Sequence, residues 1–394
     1  MIVDEETKEF IRAHRAEDVR GVALRKSRLP SEKKTFALQQ IEGRQIATKK
    51  IPSWAALDDI LYPVRLSMEQ CSSEQTARYK ASVLHGVGVY ADLTGGLGVD
   101  FSFMSRGFST SCYVEQSESL CELAKHNFGI LDLKNATVHQ QTVEQFLERK
   151  QDLDEIYLDP ARRNEKGGKV VRIADCSPNL LNLKKRLLEL CPSVWVKYSP
   201  MLDIHAALDE LKDVDEVHVV SVQNECKELL FHLTRDGHRA VVRIVCVNLK
   251  KNDEIESFSF AEDEEKSAAA RLADRLGAYL YEPNASVMKA GAFKLVSRRF
   301  SLDKLDVNSH LYTSDELRTD FPGRIFRIES AFGMSKEDLK NHLQTCKKAN
   351  VSVRNFPLSA EHLKAKLKIK DGGDVYLFAT MINNKKMILK TFNV

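Results

Sequence analysis

Residues 90–100, YADLTGGLGVD, contain a glycine-rich turn between an apolar segment and a helical pattern. Gly96 and Gly98 let the backbone approach a ligand closely, and the first amides of the next helix have no partner within that helix. The spacing fits neither G-x-x-x-x-G-K-[ST] nor G-x-G-x-x-G. Asp92 favours a cationic or hydroxyl-bearing ligand over a pyrophosphate. The turn is therefore predicted to cradle an adenosyl ligand.

Glu115 ends the next apolar segment, TSCYVE. In a doubly wound fold, an acidic residue about 20 positions beyond the glycine turn holds ribose hydroxyls. The alternative is an exposed carboxylate at the start of a helix, which the preceding turn makes the weaker interpretation. Glu115 is therefore predicted to bind a ribose.

A further apolar segment, EIYL, runs into Asp159-Pro160-Ala161-Arg162. Proline fixes its own φ and lacks an amide hydrogen, so it makes a rigid turn at the end of a strand. Ligands of open α/β sheets bind at the carboxyl ends of the strands. This segment is therefore expected to occupy a catalytic position, with Asp159 aimed into the crevice.

The glycine turn resembles motif I of the class I S-adenosylmethionine-dependent methyltransferases, because Asp92, Gly96 and Gly98 meet its pattern Asp-x-x-x-Gly-x-Gly. It departs from the family at Thr94, where glycine or an aromatic residue is more common. The resemblance implies S-adenosylmethionine as the cofactor, with the adenine beside the residues after the third strand. The implied cofactor-binding residues are Asp92, Thr94, Gly95, Gly96, Gly98, Glu115, Gln141 and Thr142.

The Asp159 segment resembles the Asp/Asn-Pro-Pro-aromatic motif of enzymes that methylate exocyclic amines, and also the Asp-Pro-Ala-Arg or Asp-Pro-Pro-Arg of RNA uracil-C5 enzymes. The C5 reaction needs a cysteine nucleophile, which those enzymes carry just after the fifth strand. This chain has KYSP (197–200) there, and Cys191 lies before that strand. An amine acceptor is therefore favoured, with Asp159 accepting an N–H hydrogen bond that orients the nitrogen lone pair.

The predicted catalytic residues are Asp159, Pro160 and Arg162. Ala161 and Arg162 replace the second proline and the aromatic residue of the amine motif. Arg162 either stacks on a base or holds a phosphate, or it forms a salt bridge with an acidic neighbour. Both interpretations stay open.

The chain has 394 residues, 43% of them apolar, which suffices for two or three domains. No segment approaches the roughly 20 apolar residues that span a bilayer, and the acidic start is unlike a signal peptide, so no membrane association and a cytoplasmic location are expected. The eight cysteines lack zinc-site spacing. Reduced thiols and no metal are expected.

Charge is distributed unevenly. Residues 1–80 carry 15 Lys/Arg against 12 Asp/Glu and residues 323–394 carry 14 against 6, so the middle of a chain of net charge +3 is acidic. Basic ends suit a nucleic-acid ligand, although they are equally consistent with ordinary solvated faces.

The pattern of elements predicts an α/β protein with a Rossmann-like, doubly wound methyltransferase sheet. We expect an N-terminal helical region (1–80) and a methyltransferase domain (81–262) with an antiparallel edge hairpin that turns at Asp236–Gly237. The acidic stretch 251–267 is interpreted as a loop or link. Small α+β domains (268–322 and 323–394) follow, the first with a helix after Glu282-Pro283-Asn284.

Several segments resemble a bacterial methyltransferase family in which the core is followed by a ferredoxin-like insert and a THUMP-like tail. These segments are SSEQTA (72–77), YEPNASVMKAG (281–291), FPGR (321–324) and LKIKDGGD (367–374). THUMP domains bind RNA, so the resemblance implies an RNA partner, tRNA or rRNA. The alternative is that Lys364, Lys366, Lys368 and Lys370 are the solvent face of a protected edge strand.

The sequence thus predicts a methyltransferase for an exocyclic amine of a base in RNA. A methyltransferase for a protein or a small molecule is a second possibility. A third is an RNA-binding module that keeps the S-adenosylmethionine pocket with little turnover.

Overall fold

A computed structural model describes residues 3–84, 86–149, 152–162, 172–235, 241–251 and 254–394. The chain forms two compact units, one of Met1–Val217 and Lys227–Ala240, the other of His218–Cys226 and Val241–Val394. Within the described ranges, no helix is long and apolar enough to cross a membrane.

Six helices open the first unit, which confirms the helical N-terminal region. The Asp4 side chain caps the first helix by accepting a hydrogen bond from the Thr7 amide at 3.0 Å. Trp54 and Met68 are buried in one cluster with Leu97 and Val99 of the glycine-rich segment. The helices therefore share a core with the glycine-rich segment. They are α1 (Glu5–His14), α2 (Val19–Leu24), α3 (Ser31–Lys50), α4 (Pro52–Ala55), α5 (Arg65–Gln70) and α6 (Glu74–Val83).

Five strands in the first unit run parallel in one sheet, in the order β7-β4-β1-β2-β3. They are β1 (Val89–Asp92), β2 (Thr110–Glu115), β3 (Ala136–Gln140), β4 (Glu155–Leu158) and β7 (Ser193–Tyr198). Asp92 lies opposite Tyr113 of β2 and Tyr157 of β4, so the end of β1 is central to the ligand-binding edge. The connections contain α7 (Val99–Met104), α8 (Glu118–Ile130), α9 (Val143–Leu147), β5 (Ala161–Arg162), β6 (Cys176–Ser177), α10 (Leu180–Leu190) and α11 (Ile204–Leu211).

An antiparallel strand lies beside β7, as predicted. It is β9 (Glu225–Thr234), whose Leu229 is opposite Tyr198. The strand before it, β8 (Val214–Val222), is joined to β9 through Gln223 and Asn224, which both have positive φ. That turn was not predicted from the sequence. The predicted turn at Asp236–Gly237 lies outside the described residues.

The second unit contains β10 (Arg243–Leu249) antiparallel to β11 (Ile255–Ala261), followed by α12 (Glu262–Ser267). The expectation of a loop or link over 251–267 is therefore wrong for residues 255–267. Phe258 and Phe260 are buried. Their alternation with serines is a strand pattern, which the surrounding acidic residues obscured.

A seven-stranded sheet forms the rest of this unit, in the order β13-β14-β12-β15-β18-β17-β16. The predicted helix after Asn284 is present, and the Asn284 side chain caps it by accepting from the Val287 amide at 3.1 Å. The elements are β12 (Tyr279–Pro283), α13 (Ala285–Ala290), α14 (Phe293–Phe300), β13 (Asp303–Lys304), β14 (Tyr312–Ser314), β15 (Gly323–Phe332), α15 (Lys336–Leu343), β16 (Asn350–Val353), α16 (Ala360–Leu367), β17 (Val375–Ile382) and β18 (Lys385–Asn393).

The lysine-rich segment 364–370 is not an edge strand. Lys364 and Lys366 lie on α16, and Lys368 adopts a left-handed conformation just after it. Leu363 is buried and anchors the helix, so the alternating lysines and apolar residues do not mark a strand here.

Candidate active site

The glycine-rich turn is tied to the sheet on both sides of β1. The Leu93 amide donates to the Tyr157 carbonyl at 3.0 Å, and the Gly95 amide donates to the Val114 carbonyl at 2.9 Å. Gly96 and Gly98 have φ of +55° and +83°, where a side chain is strained. A Cβ on Gly96 would have no neighbouring atom nearer than 3.8 Å, that of the Thr94 carbonyl oxygen. The backbone at Gly96 is therefore open to an approaching ligand.

Asp92 is a buried carboxylate at the end of β1, with 1% of its surface exposed. Its Oδ1 accepts a hydrogen bond from the Thr94 amide at 3.0 Å. Burial raises the pKa of Asp92 well above its usual range, and the nearby carboxylates of Asp100, Asp159 and Glu115 raise it further. A cationic ligand would stabilise the ionised form of this group.

Glu115 joins the end of β2 to the glycine-rich turn. Its Oε2 accepts from the Gly96 amide at 3.0 Å, and its Oε1 accepts from the Ser117 amide at 2.8 Å. The residue predicted to bind a ribose thus lies within hydrogen-bonding distance of the turn predicted to cradle the cofactor.

Gln141 and Thr142 differ in whether their side chains already have hydrogen-bond partners. The Gln141 amide donates to the Glu115 carbonyl at 3.1 Å, while its Nε2 is buried without a partner among the described residues. Such a donor is costly unless something pairs with it. The Thr142 hydroxyl instead accepts from the Gln145 amide at 3.3 Å and caps α9. Gln141 is therefore the better placed of the two to contact an adenine.

Asp159 lies at the carboxyl end of β4 and is fixed to the glycine-rich turn. Its backbone amide donates to the Thr94 hydroxyl at 2.6 Å. The residue at which this chain departs from motif I thus holds the predicted catalytic residue beside the predicted cofactor loop. Pro160 is buried, and β5 continues from it by pairing with β6, Ala161 opposite Ser177. The Arg162 side chain and residues 163–171 lie outside the described part of the chain, so both interpretations of Arg162 stay predictions.

Lys197 contacts Asp159 directly. Its Nζ is 2.5 Å from Asp159 Oδ2 and 3.8 Å from Asp100 Oδ2, with 12% of the lysine side chain exposed. Burial alone would lower the pKa of Lys197, but the carboxylates of Asp159, Asp100 and Glu228 raise it above its usual value. This cation was missed in the sequence. The only signal was a lysine at the end of the apolar strand SVWVKY.

A second lysine, fully buried, extends this network. Lys80 of α6 is 3.1 Å from Asp100 Oδ1 and 2.8 Å from Glu228 of β9. The Ser72 hydroxyl donates to Asp100 at 2.7 Å and accepts from both lysines at 3.2 Å. Burial would raise the pKa of Asp100, yet the two ammonium groups lower it below its usual value. The SSEQTA segment thus reaches the site through its first residue.

The residues at this edge fit S-adenosylmethionine. The ligand carries a sulfonium and an ammonium group, a ribose and an adenine. The site offers a buried carboxylate (Asp92), a second carboxylate at the turn (Glu115) and an amide donor with no partner among the described residues (Gln141). When bound, this cofactor supplies an electrophilic methyl group.

Two family models and one solved structure show which proteins this chain is similar to. A ferredoxin-like domain model matches residues 279–322, and a THUMP domain-like model matches residues 323–391. No protein of curated function matches the chain. A crystal structure of a candidate methyltransferase from Porphyromonas gingivalis W83 is 34% identical, covers 100% of this chain and 99% of its own, and superposes with a TM-score of 0.88.

Two smaller proteins match part of the chain only. An rRNA methylase from Streptococcus thermophilus is 14% identical over 40% of this chain and 94% of its own, with a TM-score of 0.30. A candidate methyltransferase from Streptococcus mutans in complex with SAH is 16% identical over 41% and 96%, with a TM-score of 0.31. These scores are too low to support any inference for this chain.

Proposed function

This chain belongs to the methyltransferase family of the Porphyromonas gingivalis protein, and from that premise we propose that it transfers a methyl group from S-adenosylmethionine to a nucleotide of RNA. The observation that carries the proposal is the hydrogen bond from the Asp159 amide to the Thr94 hydroxyl. It holds the candidate acceptor-binding residue against the candidate cofactor loop, and methyl transfer requires that acceptor and methyl group be held in line at short distance.

The cofactor part of the proposal is supported by chemistry at three points. Asp92 would interact with the cationic methionine part, Glu115 with the ribose hydroxyls and Gln141 with the adenine. Glu115 already accepts from the Gly96 amide, so ribose binding would add hydroxyl donors to a carboxylate that is held in place.

The RNA part is supported by the second unit. Residues 323–394, which include the THUMP-like match, carry 14 Lys/Arg against 6 Asp/Glu. Lys366, Lys368 and Lys370 are exposed on and after α16. Lysines of this kind bind phosphates and release counterions.

Transfer of labelled methyl groups tests the proposal. The purified chain is incubated with S-adenosylmethionine labelled in the methyl group and with total RNA from a deletion strain, and the label in RNA is counted. The proposal expects label in RNA, incorporated about 10²-fold or more slowly by Asp159→Ala. Cofactor binding and RNA binding without any transfer would instead identify an RNA-binding module with little turnover. Label in protein or small molecules, with no retention of RNA on filters at low salt, would identify the other alternative.

Two acceptor chemistries are compatible with Asp159. Its carboxylate can orient an exocyclic amine by accepting an N–H hydrogen bond, as the Asp-Pro motif suggests, or it can take the proton of a hydroxyl group. Mass spectrometry of nucleosides from the methylated RNA separates methylated bases from methylated riboses.

A further inference from the structure

Five charged side chains alternate in sign from the crevice into the first unit. Asp159 contacts Lys197 at 2.5 Å, and Lys197 is 3.8 Å from Asp100. Asp100 is 3.1 Å from Lys80, and Lys80 contacts Glu228 at 2.8 Å. Only Asp159 among them was predicted from the sequence to act in the site, and an amine acceptor gives no catalytic role to the two lysines.

The network opens at one end. The exposed fraction of the side chain is 38% for Asp159, 12% for Lys197 and 1% for Lys80. Lys197 is therefore fixed beside the accessible carboxylate, because Asp100 and the Ser72 hydroxyl hold its ammonium group from behind. An acceptor that binds at Asp159 necessarily meets a cation as well as an anion.

Fixed charges at a reacting centre favour the transition state whose developing charge they oppose. An amine nitrogen gains positive charge as it attacks a methyl group, so a buried ammonium group beside it is unfavourable. A hydroxyl oxygen attacks as it loses its proton and develops negative charge. The same ammonium group stabilises that oxygen, and the neighbouring carboxylate can accept the proton.

We infer that the acceptor is a hydroxyl group of RNA, the 2′-hydroxyl of a ribose, and that Lys197 and Asp159 act on it together. The inference rests on the proposed function and names its acceptor. The 2′-hydroxyl is the hydroxyl that every unmodified internal nucleotide of RNA carries, whereas the unmodified bases offer amines and ring atoms. In this arrangement Lys197 contacts the reacting oxygen, while Asp100, Lys80 and Glu228 are positioning residues.

The step balances as a simple displacement. The bond between the ribose oxygen and the methyl carbon forms as the carbon–sulfur bond breaks, and its electron pair leaves with the sulfur as a neutral thioether. The hydroxyl proton passes to Asp159 and then to solvent. Asp159 Oδ2 is taken by Lys197, and no hydrogen bond to Oδ1 comes from the residues that the structure describes, so Oδ1 is the oxygen available for the proton.

Alkaline hydrolysis of the labelled RNA distinguishes the acceptors. Alkali cleaves RNA through attack of the 2′-oxygen on the adjacent phosphate, so a 2′-O-methylated nucleotide survives in a dinucleotide. The inference expects the label in alkali-stable dinucleotides. Label in mononucleotides would overturn it and leave the proposed function standing. Absence of label from RNA would contradict both the hydroxyl acceptor and the proposed function.

Substitutions of Lys197 test the proposed pair. Lys197→Met should lower transfer to RNA by about 10²-fold or more, as expected for a lost electrostatic contact to the reacting oxygen, with S-adenosylmethionine affinity changed less than threefold. Lys197→Arg, which keeps the charge, should retain more activity than Lys197→Met. Lys184→Met is the matched control, since it breaks the pair between Lys184 of α10 and Asp213, which includes none of the five network residues, and it should transfer at the wild-type rate.

A folding defect is separated from a catalytic one by calorimetric cofactor binding of each variant. If Lys197→Met binds the cofactor normally and transfers methyl groups at the wild-type rate, or if Lys197→Arg is no more active than Lys197→Met, the role given to its ammonium group is wrong. A variant that fails to bind the cofactor leaves the dinucleotide analysis of the wild-type protein to decide the acceptor.

Discussion

The amide of Gly96 donates a hydrogen bond to Oε2 of Glu115 at 3.0 Å, which ties the glycine-rich turn to the carboxyl end of the neighbouring strand. Gly96 has φ of +55° and open space where a Cβ would stand. The loop conformation therefore depends on a left-handed residue and on a carboxylate, while the surface above it stays free for a ligand.

Gly96→Val should weaken S-adenosylmethionine binding by at least about tenfold, since a β-branched residue is strained at positive φ by roughly 1–3 kcal/mol and would cover the open backbone. Titration calorimetry measures the affinity. Gly107→Ala, where a Cβ meets no atom within 4 Å, is the control and should bind like wild type. Unchanged binding by Gly96→Val would refute the assignment of the cofactor loop.

Thr94→Val should slow methyl transfer with little change in cofactor affinity. The variant removes the acceptor of the Asp159 amide, a bond of 2.6 Å, and leaves a partly buried donor unpaired, which costs less than the about 1–3 kcal/mol of a fully buried one. Steady-state assays should show a reduced kcat at saturating cofactor, with Thr94→Ser restoring most of it. A loss confined to cofactor binding would instead place Thr94 at the ligand.

The cofactor half of the candidate site could be proposed from the sequence because its signals are local. Asp92, the glycines and Glu115 follow one another along two adjacent strands at fixed spacing. Lys197 and Glu228 carried no such signal, because their role depends on contacts across long stretches of chain, 148 residues between Lys80 and Glu228. Residues 255–267 were assigned to a loop because acidic residues masked the alternating Phe258 and Phe260. Thr142 was predicted to contact the adenine only from its position after the third strand. That position does not show that its hydroxyl caps the next helix.

The exposed lysines on and just after α16 should contribute to RNA binding through charge. Truncation at residue 323 is unsuitable as a test, because β15, β16, β17 and β18 belong to the same sheet as β12. Replacing Lys366, Lys368 and Lys370 together by Gln should reduce the salt dependence of RNA binding by about two in the slope of log K against log salt, as three single-strand phosphate contacts contribute. Filter binding from low to moderate salt measures the slope.

Cofactor affinity of this triple variant should be unchanged. A control that replaces exposed Lys125, Lys134 and Lys185 of the first unit should keep the wild-type slope. Equal slopes in the wild type, the triple variant and the control would show that the lysines on and just after α16 do not contact RNA phosphates.

Glu155 should make the protein less stable as pH rises. It is buried at the start of β4, where its Oε1 accepts from the Ser193 hydroxyl at 2.6 Å, and burial raises the pKa of Glu155 to about 7 from 4.5. The pKa of Glu155 is higher in the folded than in the unfolded protein, so its protonated form stabilises the folded state. This stabilisation is complete below pH 4.5 and is lost as pH rises through 7. The loss is at most about 3 kcal/mol.

Glu155→Gln, which mimics the protonated form, should be close to wild type at pH 5 and more stable at pH 8. Urea unfolding at the two pH values measures the difference. A pH dependence that is the same in both proteins would show that Glu155 does not titrate in this range.

Asp159 and Cys191 test the mechanism from opposite sides. Asp159→Ala should bind both ligands and transfer methyl groups about 10²-fold or more slowly, because it loses the group that orients or deprotonates the acceptor.

Cys191→Ser should have little effect on methyl transfer. The Cys191 thiol is buried at the amino end of β7, away from the crevice, and burial raises its pKa to about 12, so it is not a thiolate near neutral pH and cannot add to a pyrimidine ring. If Asp159→Ala were fully active, that carboxylate would have no role in methyl transfer to either an amine or a hydroxyl acceptor. An inactive Cys191→Ser that still folds would reopen methylation at uracil C5, and trapping of a covalent RNA adduct by the wild-type protein would establish it.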